Sequence, residues 1–253
     1  WNWENVRTII LKRKGVLAPY ASPSGADIPA EFRDPEGYWY GFGARIRVLV
    51  YNRKLVPEDK APKSVFDFTK PAWKHSFAMA YPLFGTASTH AAALYYALGE
   101  KQAKGYFNRL KSNGVKIADG NSHACRMVES GEIKAAFTDS DDAYVSMKKG
   151  SPVGMVFPDQ EGMGTLLIPN TVSLVAGCRH PEEAKAFIDF LLSRETERML
   201  AFSEAVQMPL RAGIETPQGK PAAGSVKSMI LDVDKVADLM EKSSRDMRTI
   251  FVR

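Results

Sequence analysis

Three carboxylates fall within four residues at Asp139-Ser140-Asp141-Asp142. Acids at that spacing can hold a hard cation through oxygen or bind an ammonium group. With a metal and a base they can also activate water for hydrolysis. The structural alternative is that Asp139 or Ser140 caps a helix and the later acids complement its dipole. A second polar group, Gly85-Thr86-Ala87-Ser88-Thr89-His90, precedes the apolar run AAALYYALG. Hydroxyls and backbone N–H groups at a helix N-terminus form an anion site, and Ser88 or Thr89 serves equally as a plain cap. His90 reads as a first-turn residue, because no HExxH and no Ser–His–Asp order surrounds it.

Both groups depend on strand ends to aim them. Lys134–Thr138 is short, apolar and strand-like, and Asp139–Asp142 follows as an acidic loop that opens the next helix. Before it, Asn121 or Ser122 can cap a helix carrying Ala124, Met127 and Val128, which ends at Gly131. Ser76–Leu83 reads as the strand that feeds the Thr86 loop, and Lys101–Asn113 as a helix with Ala103, Tyr106, Phe107 and Leu110 on one face. In open α/β sheets ligands bind beyond the carboxyl ends of strands, which is where both polar groups fall. The glycine-rich loop Pro158–Gly164 follows another strand and reads as a site wall or as a plain turn, the strand before it favouring the wall.

Elsewhere, Asn5–Lys14 predicts a helix and Val16–Arg33 a loop. Ile46, Val48 and Val50 alternate with Arg45, Arg47 and Leu49, a strand pattern. Gly41-Phe42-Gly43 lacks the third glycine and runs into a strand, which argues against a dinucleotide loop. Pro181 opens a helix with Ala184, Phe187, Ile188 and Leu191 inside. A second helix follows at Glu195–Phe202, then a linker over Pro209–Gly224 and a closing helical segment over Val226–Ile250.

The 253 residues suffice for one large domain or two lobes with real cores, and 45% hydrophobic with 25% charged residues is ordinary for a globular chain. The net charge of +5 is spread among interleaved acids, with one small cluster at Lys12-Arg13-Lys14, which a solvated surface explains better than a nucleic-acid face. Cys125 and Cys178 have no CxxC spacing, so buried thiols or one disulfide are expected and a zinc site is not. No apolar run approaches the roughly 18 residues of a membrane span. The opening Trp1-Asn2-Trp3-Glu4 has neither an initiator Met nor a cap, so upstream sequence is expected to be absent.

Five segments, read in order, carry a resemblance: LKRKGVL from Leu11, RIRVLVYN from Arg45, GEIKAA from Gly131, PEEAKAFI from Pro181 and SRE from Ser193. Together they resemble the extracytoplasmic solute-binding proteins of ABC importers, above all the ferric-ion-binding branch of the type 2 periplasmic-binding-protein class. The resemblance implies an α/β fold of two lobes joined by strands that cross twice, with the first strands of lobe one missing. Lobe one would comprise residues 1–43 and 168–220, and lobe two residues 44–167 and 221–253. It also implies a monomeric receptor, periplasmic or anchored outside the membrane, that captures a small ligand between its lobes and delivers it to permease subunits. No cofactor is implied, only a bound Fe3+ or other hard cation as cargo.

By the same likeness Glu4 is an acidic ligand, Thr86, Ala87, Ser88 and Thr89 cradle a companion anion, and Asn121 assists it. The two tyrosines that hold iron in that branch align with Asp141 and Asp142. The ligand set so implied is Glu4, Thr86–Thr89, Asn121, Asp139, Asp141 and Asp142, with Glu4, Asp141 and Asp142 as metal ligands. Acids facing an anion cradle suit a metal with its anion or a small zwitterion. The rival is a metal-dependent phosphate-ester hydrolase on Asp139, Asp141 and Asp142, for which no histidine is suitably placed as base.

Overall fold

The computed structural model describes residues 1–222 and 224–252. In chain order, α1 (Asn5–Arg13) and β1 (Leu17–Ala18) lead into the long strand β2 (Tyr40–Asn52). Then come β3 (Phe77–Ala80), α2 (Gly85–Leu98), α3 (Glu100–Ser112), β4 (Lys116–Ala118), α4 (Asn121–Glu129), β5 (Ala135–Asp139), α5 (Ser140–Lys148) and β6 (Val153–Val156). β7 (Leu167–Val172), β8 (Leu174–Val175), α6 (Pro181–Leu191), α7 (Arg194–Phe202) and α8 (Val233–Phe251) follow. These elements form two units: Trp1–Arg45 with Leu167–Val226, and Ile46–Leu166 with Lys227–Arg253. The chain therefore passes between units three times.

In the second unit the strands are ordered β4-β3-β5-β2-β6. β3 lies parallel to both β4 and β5, while β2 runs antiparallel to β5 and β6. Parallel neighbours need crossovers, and the helices α2 to α4 supply them. The chain moves from β3 to β4 on one side and then back past β3 to β5 on the other. That reversal opens a crevice between the carboxyl ends of β3 and β5, the place where such sheets bind ligands. Beneath it Phe68 stacks on Phe77 with centroids 3.8 Å apart, and Phe137 meets both edge-on. The closing helix α8 buries Val236, Ala237, Met240, Ser243, Met247 and Ile250, spaced by a helical turn or less.

In the first unit β1 pairs antiparallel with β8. Its core gathers Ile28, Tyr40, Phe42, Val172, Leu174, Ile188 and Leu192. The buried Arg211 guanidinium donates to Glu197 at 2.8 Å and to Asp27 at 2.6 Å, so no charge there is left unanswered. Cys125 and Cys178 are both free thiols.

Several local expectations change in three dimensions. The alternation in β2 does not separate a wet face from a dry one: every residue of the strand is buried, Arg45 and Arg47 included. Gly120, not Asn121 or Ser122, occupies the cap position of α4. α8 begins at Val233, later than expected, where the Asp232 side chain accepts the Lys235 N–H. The loop Pro158–Gly164 is held as a structural clasp. Asp159 accepts from Ser64 Oγ and from the Val65 N–H, and Gln160 exchanges hydrogen bonds with the Lys227 backbone. Gly164 closes the clasp at φ +80°, where a Cβ would strike the Ser228 backbone at 2.7 Å.

Ser64 joins that clasp to a short helical turn. Its Oγ accepts the Phe66 N–H at 3.1 Å, and the Asp67 carboxylate accepts the Ser64 N–H at 3.0 Å. Ser64→Ala is expected to lower stability by about 1–2 kcal/mol. Urea denaturation of the two proteins side by side checks it, and an unchanged midpoint would mean the turn holds without its cap.

Candidate functional site

The site is built on one cross-strand pair. In the β2–β5 register Arg47 lies directly opposite Asp139, and opposed residues on an antiparallel pair share a face. Their side chains meet: Arg47 Nη1 donates to Asp139 Oδ1 at 2.7 Å, with both groups buried. Two further donors converge on the other oxygen. Thr86 Oγ1, in the first turn of α2, donates to Asp139 Oδ2 at 2.7 Å, and Asn121 Nδ2, at the start of α4, at 3.0 Å. Asn121 closes the ring by accepting from Arg47 Nη1 at 2.9 Å and donating to Thr86 Oγ1 at 2.7 Å.

Asp139 stands at the cap position of α5, yet its side chain caps nothing there. It points instead to the first turns of α2 and α4, where the positive ends of helix dipoles favour a carboxylate. This corrects two expectations. Asp139 and Ser140 are not part of a loop, since β5 ends at Asp139 and α5 begins at Ser140. Thr86–Thr89 are not a loop before a helix either: α2 starts at Gly85, and all four residues are buried within its opening turns. Of the four, Thr86 donates to the Asp139 carboxylate. Ser88 Oγ donates locally to the Gly85 carbonyl at 2.8 Å, and Ala87 and Thr89 are packed inside. The anion that Thr86 and Asn121 hold in this structure is Asp139 itself.

Asp141 and Asp142 sit half-buried in the first turn of α5. One carboxylate oxygen each from Asp139, Asp141 and Asp142 lies within 4.8 Å of the others. Oxygens this close together could share one hard cation. Asp142 Oδ2 accepts from Thr138 Oγ1 at 2.9 Å. Burial, and then the Asp139 charge, raise its pKa above the usual carboxylate value. Such a group is stabilised as an anion when a positive charge arrives.

Glu4, in the first unit, is buried and forms an ion pair with Arg7 Nε at 2.7 Å. Nearby in the same unit Arg45 donates to Asn170 Oδ1 at 2.7 Å and lies over the exposed Trp3 ring. In the second unit a cavity of about 20 Å³ is lined by Arg47, His90, Leu94, Tyr106 and Phe137. It has room for a single water and none for a solute.

Arg47 is the residue that sequence reasoning passed over. Its signal was an arginine in the middle of the otherwise apolar VLVY-containing strand, a position that a charge occupies only with a partner. His90 is more deeply placed than a first-turn residue needs to be. Burial and the neighbouring Arg47 charge depress its pKa to about 3, so it is neutral. An unfolded chain takes up that proton near the ordinary value of 6.5. Stability from His90 is thus complete above about pH 6.5 and declines as pH falls toward 3. Between pH 6.5 and 5 the loss is expected to be about 2 kcal/mol. His90→Phe should flatten that part of the pH–stability curve, as read from urea midpoints.

Residues 10–237 match the family described as "Bacterial extracellular solute-binding protein". The chain belongs to this family. The solute-binding protein is 27% identical over 246 residues to Iron uptake protein A1 of Synechocystis, covering 92% of this chain and 67% of that one. It is 23% identical over 244 residues to the Fe(3+)-binding periplasmic protein of Serratia marcescens, covering 93% and 72% respectively. Iron-bound HitA from Pseudomonas aeruginosa superposes with a TM-score of 0.86 at 27% identity, over 97% of this chain and 80% of that one. The ferric binding protein from Campylobacter jejuni shares the fold, with a TM-score of 0.87 at 23% identity over 99% and 82% of the two chains. The protein thus has the α/β fold of the type 2 periplasmic-binding class and the role of a solute-binding receptor. The comparisons give the hydrolase alternative no support, because the family consists of binding proteins. Among the described residues no helix is long and apolar enough to cross a membrane.

Proposed function

We propose that the solute is a hard metal cation taken as cargo, with ferric iron the first candidate, and that Asp139, Asp141 and Asp142 supply oxygens to it. The carrying observation is the convergence of these three carboxylates at the carboxyl end of β5, with Asp142 made costly to ionise until a cation is present. The iron-binding titles of the relatives favour ferric iron over other hard cations. Carboxylates in place of a tyrosine pair predict an iron complex without the visible colour of phenolate ligation. On family grounds we further place the receptor outside the cytoplasmic membrane, as a monomer that hands its cargo to ABC permease subunits.

Native mass spectrometry with metal analysis, after exposure to Fe3+ and exchange into clean buffer, tests the assignment. One iron per chain, lost in Asp141→Asn/Asp142→Asn, is the expected result. A retained organic amine, with no metal at any loading, would replace the metal by an ammonium-bearing solute.

A further inference from the structure

We infer that the small cavity of the second unit is a built water site, in which an internal water accepts from Arg47 Nε and donates to His90. His90 is then a positioning residue for the Arg47–Asp139 pair, acting through that water. This holds whichever solute the receptor carries.

Arg47 is 2% exposed, and its Nε is buried without a hydrogen-bond partner, while Nη1 is engaged by Asp139 and Asn121. An unanswered N–H on a charged group costs more than one on a neutral group. Buried polar groups are normally matched by protein or by ordered water. Arg47 and His90 both line the cavity of about 20 Å³, which is enough for a water. Both also border one aromatic ring. Arg47 Cζ lies 5.9 Å from the Phe137 centroid, and the His90 ring meets Phe137 edge-on at 5.3 Å.

Burial and the Arg47 charge keep His90 neutral, so one ring nitrogen retains a lone pair. Tyr106 also lines the cavity, and its Oη donates to the Val65 carbonyl at 3.2 Å, which leaves that oxygen able to accept. The neighbouring wall residues Leu94 and Phe107 offer no competing polar side chain. One donor and two acceptors suit the lone pairs and two protons of a single water. Because the guanidinium is planar, holding Nε also fixes the direction in which Nη1 meets Asp139.

Nuclear magnetic resonance on isotope-labelled protein reads the water at the Arg47 Nε–H. Wild type is expected to show a cross-peak from that proton to a long-lived water, with His90 in a single tautomer. His90→Leu removes the acceptor at similar volume. The cross-peak should then vanish, and exchange of the Arg47 Nε–H should become at least about tenfold faster. His90→Gln supplies an acceptor oxygen and should restore both signals, a rescue that a packing role would not produce. Absence of a long-lived water in wild type would overturn the inference, as would a cross-peak that persists unchanged in His90→Leu. If the leucine variant does not fold, a high-resolution crystal structure of wild type decides. A water at hydrogen-bond distance from both Arg47 Nε and a His90 ring nitrogen supports the site, and none there overturns it.

Discussion

Replacing Arg47 by Met is expected to lower the unfolding free energy by about 3–5 kcal/mol, because it strands a buried carboxylate. Asp139 is 3% exposed, and its remaining partners, Thr86 and Asn121, are neutral. Two neutral hydrogen bonds do not offset the removal of a unit charge from water. The companion double variant, Arg47→Met with Asp139→Leu, should recover most of that loss, since replacing both partners of a buried pair by apolar groups is often neutral. Hydrogen exchange at the β2 and β5 amides gives the readout in the unit concerned. Equal destabilisation by the single and double variants would show that the pair contributes through packing alone.

The second large effect concerns binding. Asp141→Asn/Asp142→Asn removes two charges from a partly desolvated site and is expected to weaken cation binding by about 30-fold to several thousand-fold. The same substitution should help the empty protein. Asp142 has a folded pKa above its unfolded value, raised first by burial and then by Asp139. Its protonated form therefore contributes stability below the ordinary carboxylate pKa, and this is lost as pH rises through the folded value. At neutral pH the cation-free receptor carries the ionised group at a cost, which Asp142→Asn relieves. A higher melting temperature together with weaker binding is the expected pairing, measured on cation-free protein at pH 7. Cation affinity in wild type should fall as pH drops through the raised Asp142 pKa, because the proton competes for the same oxygens. A variant with unchanged affinity would reduce these acids to complements of the α5 dipole.

The opposing signs of those effects follow from one arrangement. Stability alone would favour fewer carboxylates at the end of β5, whereas binding a cation needs them close together. Sites held at such a cost commonly carry function.

Local sequence determined the parts whose information is local. The helix opened by Pro181 is present, but of its four expected inward residues only Ile188 is buried and Phe187 is exposed, whereas Lys101–Asn113 closely matches α3 with Ala103, Tyr106, Phe107 and Leu110 buried. The strand-to-helix junction at Asp139–Asp142 was legible because a short apolar run, a cluster of acids and a helical period follow one another directly. What the acids do was not legible there. A cap and a ligand have the same side chain, and only the direction in which it points separates them. That direction comes from the pairing of Arg47 with Asp139, 92 positions apart in the chain, and from the reversal of strand order, which brings Thr86 and Asn121 to the same carboxylate. Sequence by itself therefore determined the alternation of strands and helices and the clustering of acids. The tertiary structure alone decided that one of those acids is the partner of a buried arginine, because strand register and crossover order are set by long-range packing.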